Sequence, residues 1–130
     1  MSGALYVASI RHRTILEVRA DGHVRDLGVS RDRRVGALLG VRVAPDGASL
    51  YATTTAHPAM QTSHAADAVG DTIARDTVVR DTVVRDAILR VRIADGAVTG
   101  QWVVPDDGAR HLLGDLAIDA HGVVYATDSY

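Results

Sequence analysis

The segment Leu38 to Thr53 reappears as Leu112 to Thr127, and this internal repeat constrains the fold more than any other feature of the chain. Each copy reads as an alternating apolar strand, a Gly-containing turn and a second strand centred on a tyrosine, Tyr51 in one and Tyr125 in the other. The second strand alone occurs once more near the start, around Tyr6. The other half of the unit recurs as well. Ile15 to Val24 matches Ile88 to Val98 with one inserted residue, and both runs turn at Asp-Gly. Alternation on either side of Asp-Gly is a strong local signal for a β-hairpin.

The unit is therefore four antiparallel strands: A (Val41–Val43), B (Leu50–Thr53), C (Ile88–Ile93) and D (Val98–Val104). Tyr6 and Tyr51 lie 45 residues apart, the period of one blade of a β-propeller. The expected fold is all-β, a single domain over residues 1–130. It reads as a propeller segment holding B, C and D of one blade, all of the next, and A and B of a third. A β-sandwich is the alternative, although sandwich strands have no need to repeat in sequence. Two to two and a half blades cannot close a ring of 4–8. The remaining blades are expected from a longer chain or from another copy.

From Tyr51 to Tyr125 the step is 74 residues, and the surplus lies between strands B and C, at residues 56–86. Its second half is a tandem pentapeptide beginning at Asp71, Asp76, Asp81 and Asp86. Five residues turn a helix by about 500°, so the apolar pairs form no stripe, and in a strand an odd period swaps faces at every copy. The insertion reads as a slipped duplication or as a functional repeat. Residues His57 to Asp81 are expected to be the most mobile part of the chain.

Composition removes several function classes. The net charge of -2 gives no electrostatic footprint for nucleic acid, and no apolar run is long enough to span a membrane. Without cysteine there is no disulfide, thiolate metal site or cysteine nucleophile. The first residues do not read as a signal peptide, which leaves the cytoplasm as the default location. No phosphate loop, nucleophile elbow or His-Glu-x-x-His pattern is present.

Antiparallel connectivity puts the B–C and D–A loops on one face and the A–B and C–D turns on the other. His12, His57, His64, His111, Asp115 and Asp128 fall on the first face, and His23 and His121 on the second. Each has a plainer reading: Asp115 as a cap at the start of a strand, His111 as a loop histidine, Asp128 as an Asx turn.

Gly114 to Ser129, and Gly40 to Gly47 with Leu50 to Thr53, resemble the blade signature of the regucalcin, gluconolactonase and luciferin-regenerating-enzyme superfamily. The resemblance covers nearly all of the chain outside the insertion. It implies a six-bladed propeller with a central divalent metal, such as calcium, held by Glu, Asn and Asp at the starts of strands A. It also implies metal-dependent hydrolysis of a small lactone, the metal polarising the carbonyl and activating water. The family's Asn-Asp pair stands here as Gly114-Asp115, and in the preceding unit as Leu39-Gly40. Asp115 is thus the matched metal ligand, with His111 on the same face as a second candidate. The other reading is a non-catalytic propeller that binds a small-molecule ligand or a protein.

Overall fold

The computed structural model describes residues 3–57 and 84–130. The pentapeptide run up to Val83, together with His64, lies outside the described residues, so the expectations placed on the insertion lie there too. Among the described residues nine strands form three antiparallel sheets, and there is no α-helix. Sheet 1 is β1 (Leu5–Ser9), β2 (Thr14–Val18) and β3 (Val24–Asp26). Sheet 2 is β4 (Ala37–Val43), β5 (Ser49–Thr55), β6 (Ala87–Arg92) and β7 (Val98–Val103). Sheet 3 is β8 (Leu113–Ile118) with β9 (Val124–Asp128). The fold is all-β, and none of the described sheets closes on itself.

Pairing repeats with the sequence. Tyr6 faces Glu17 across β1 and β2, with Ala8 opposite Ile15. Tyr51 faces Arg90 across β5 and β6, with Thr53 opposite Ile88. The two hairpins share one register. The first strand of the unit is longer than the sequence suggested, because β4 begins at Ala37 and carries a bulge between Leu38 and Val41. A matching bulge interrupts β8 between Leu113 and Leu116. Tyr51 pairs with Arg42 whereas Tyr125 pairs with Ala117, so Val41 corresponds to Leu116 and Gly40 to Asp115. The β8–β9 turn is one residue shorter and absorbs the difference.

The Asp-bearing turns form for a local reason. The carboxylates of Asp21, Asp46, Asp95 and Asp119 each accept the backbone N–H two residues on, from His23, Ala48, Ala97 and His121. Such Asx turns satisfy donors that the ladder leaves free.

Side-chain alternation then builds the core. The face of sheet 1 that carries Tyr6, Ala8 and Ile15 packs on the face of sheet 2 that carries Leu50, Ala52, Leu89 and Val91. Leu27, Val29 and Val35, from the crossing between the sheets and its single 3-10 turn (Val29–Arg31), complete the cluster. Two arginines of sheet 1 and its crossing hold the β6–β7 turn. Arg25 donates to the carbonyls of Ile93 and Ala94, and Arg31 donates to that of Asp95. Sheet 3 lies against the other side of sheet 2, where β4 and β8 approach closely. A Cβ on Gly40 would stand 2.6 Å from the Gly114 carbonyl oxygen. The Thr53 hydroxyl joins the two, accepting from Gly40 N–H at 2.9 Å and donating to Gly114 O at 2.7 Å.

Candidate functional site

Asp115 is the third residue of β8, inside the strand, so it does not cap the strand's start. Its Oδ1 accepts the N–H of Leu116, and its Oδ2 lies 2.8 Å from Arg42 Nη2, an arginine of β4 brought alongside by the close approach at Gly40. The pair is exposed on both sides.

His111 sits just before β8 and is partly buried. Its Nδ1 is 2.6 Å from Asp128 Oδ2 and its Nε2 is 2.9 Å from Asp107 Oδ1. Asp128 ends β9 and accepts the N–H of Leu112 and of Tyr130, the second being the Asx turn anticipated from sequence. These contacts favour the charged forms. The hydrogen bond to Asp128, seconded by that to Asp107, raises the His111 pKa. The bond from His111, with the Leu112 N–H behind it, holds Asp128 down at about 2. Asp107 is lowered first by the Ala109 N–H and then by His111. With a carboxylate on each ring nitrogen, the imidazolium form satisfies both contacts and leaves neither nitrogen as a lone-pair donor.

These placements bear on the metal that the family resemblance implies. Calcium takes 6–8 oxygen ligands, and zinc takes deprotonated nitrogen, sulfur or oxygen donors. Asp115 presents its carboxylate to a guanidinium, and both His111 nitrogens are engaged. No hydrogen bond or ion pair joins the two residues. Among the described residues there is no grouping of three or more His, Asp or Glu that could hold a metal ion. Asp115 and His111 as placed therefore do not fit a divalent cation. Of the other histidines, His12 and His121 use their backbone N–H groups in local turns, against Ser9 Oγ and Asp119.

A second charged cluster lies at the opposite end of the sheets. Glu17, the only glutamate in the chain, is 5% exposed on the inward face of β2. Arg19 Nε approaches its Oε1 at 2.9 Å, Arg25 Nη2 its Oε2 at 3.1 Å, and the Tyr6 hydroxyl its Oε2 at 3.4 Å. Arg19, with Arg25 behind it, lowers the Glu17 pKa against the opposing effect of burial. Burial and the neighbouring Glu17 charge raise that of Tyr6, which stays a neutral donor. Together with Ala4, Gly47 and Ile93 these residues line a cleft of about 470 Å³ between sheets 1 and 2.

None of the sequence motifs singles out Glu17 or this cluster. The signal was available: Glu17 and Ile15 stand two apart in one strand, and a residue that shares a face with a core isoleucine points inward. Arg25 and Ile93, by contrast, are 68 residues apart in the chain, and no local pattern joins them. Compared with protein-family models, curated proteins and solved structures, the chain finds no match.

Proposed function

We propose that this chain is a segment of a gluconolactonase-like β-propeller that works as a non-catalytic scaffold binding a small ligand. The observation that carries the reading is the commitment of Asp115, the one carboxylate matched to the superfamily's metal ligands, to Arg42. A carboxylate neutralised by a guanidinium is a poor ligand for a hard cation. Replacing the family's Asn by Gly114 removes a second oxygen.

The propeller part is supported by what the outer faces expose. Leu5 and Val7 stand at the register positions that Leu50 and Ala52 occupy in sheet 2. In sheet 2 those positions are fully buried, yet Leu5 is 69% and Val7 49% exposed. On the other side, Trp102 lies against Tyr51 with ring centroids 6.0 Å apart and is 53% exposed. An apolar face at the sheet 1 end of the stack, and an exposed tryptophan on β7 beside the two-stranded sheet 3, are suited to further strands supplied by a longer chain or another copy.

The test is hydrolysis of gluconolactone by the chain, followed with a pH indicator with and without calcium and compared with Asp115→Ala. The expected rate equals that of buffer in all four cases. Calcium-dependent turnover that disappears in Asp115→Ala would restore the metal-dependent hydrolase.

A further inference from the structure

We infer that the cleft between sheets 1 and 2 is a binding site for a small organic carboxylate, received by Arg19. This rests on the binding reading above and names the ligand class and its location. The first argument is charge. Glu17 is the only acid among the lining residues and faces two guanidiniums, so the lining itself carries one net positive charge, with Asp21 near Arg19 but outside the cleft. The second is the supply of donors. Arg25 spends its terminal nitrogens on Glu17 and on the carbonyls of Ile93 and Ala94, which makes it part of the wall. Arg19 spends only Nε, and its two terminal nitrogens carry no hydrogen bond among the described residues. The side chain is 54% exposed, so the free edge of its fork is accessible.

A guanidinium whose Nε is pinned is oriented before any ligand arrives. Its remaining edge matches a carboxylate or phosphate in a two-point, charge-assisted contact. Glu17 accordingly positions Arg19, and Tyr6, donating to Glu17, completes that support. Of the uncharged lining residues, Tyr6 has its hydroxyl engaged with Glu17, and Ala4, Gly47 and Ile93 have no donor side chain for a second anionic group. That favours one carboxylate attached to an apolar body over inorganic phosphate. A cleft of about 470 Å³ accommodates a ligand the size of a substituted benzoate.

Benzoate is the probe, titrated into the 15N-labelled chain at low salt, where exposed charges are least screened. Saturable shifts are expected at the Arg19 Nε–H and at the amides of Gly47 and Ile93. The Kd is expected on the order of 1–10 mM, with at least about fivefold weakening in Arg19→Ala. Arg19→Lys, which keeps the charge and loses the fork, should fall between the two. Equal affinity in Arg19→Ala, shifts centred elsewhere, or no saturation would overturn the site. Inorganic phosphate binding as tightly as benzoate would overturn the carboxylate assignment. The two proposals fail separately, since lactone turnover sinks the non-catalytic reading, whereas absent benzoate binding without turnover sinks only this cleft.

Discussion

Replacing Gly96 by alanine tests the seam between sheets 1 and 2 at its tightest point. Gly96 has φ +71°, and a Cβ there would stand 1.8 Å from the carbonyl oxygen of Leu27. Two costs arise. The left-handed backbone conformation costs an alanine about 1 kcal/mol. The collision involves main chain in place of a flexible side-chain end, so one strand end must move by more than 1 Å. Overpacking of that kind costs about 1–3 kcal/mol.

Gly47 separates the two costs. It occupies the β4–β5 turn at φ +67°, and a Cβ there meets nothing within 4 Å. Gly47→Ala should therefore cost about 1 kcal/mol and Gly96→Ala about 2–4 kcal/mol, out of a total stability of about 5–15 kcal/mol for a domain this size. Urea unfolding followed by Trp102 fluorescence measures both. With a slope of about 1–1.5 kcal/mol/M, the difference of about 1–3 kcal/mol should set the midpoints of the two variants about 0.7–3 M apart. Equal midpoints would mean that sheet 1 does not press on the β6–β7 turn, and the packing of the two sheets described above would be wrong.

The His111 contacts predict a pH window. Its pKa is raised on folding, so its contribution is complete below the ordinary histidine value near 6.5 and is lost as pH rises through the folded value. Asp128 is depressed to about 2, so its share is present above the ordinary carboxylate range and disappears as pH falls toward 2. The stability difference between the chain and His111→Gln, from urea midpoints, should peak between about pH 4 and 6.5 and shrink on both sides. A flat difference would contradict it. The Arg42–Asp115 pair is exposed on both sides, so Arg42→Ala should shift stability by at most about 1 kcal/mol, read by thermal melting. A larger loss would give the pair a structural role.

The parts of this fold legible in the sequence are those fixed by neighbours in the chain. Tyr6, Tyr51 and Tyr125 mark second strands because alternation and the Asx-forming aspartates act over a few residues. The bulges in β4 and β8 were hidden, because a bulge is settled by the partner strand and by Thr53, whose hydroxyl takes the Gly40 N–H out of the ladder. The one-residue slip between the two copies was half visible. The glycines align as Gly40 with Gly114, while the paired strands align Gly40 with Asp115, and only the register decides. At the site, Asp115 and His111 were recognisable as polar residues on one face, but their partners Arg42 and Asp107 were not. Which charge meets Asp115 depends on how closely two backbones approach at Gly40, a property of the packing of sheets.

Sheet 2 has a neighbour on each side, sheet 1 against its Leu50 face and sheet 3 against Gly40 and Thr53, while among the described residues each outer sheet packs chiefly on sheet 2. Such a molecule behaves as a short one-dimensional array, in which stability is a sum over units and the contacts between adjacent units. A unit in the middle contributes to two interfaces and a terminal unit to one. Damage within β4, β5 or β6 therefore loosens the whole array, whereas β8 and β9, with few buried side chains, can detach and leave the Ile15–Leu89 cluster intact. Resistance to opening is graded along the chain, highest at the centre of the stack and lowest at sheet 3.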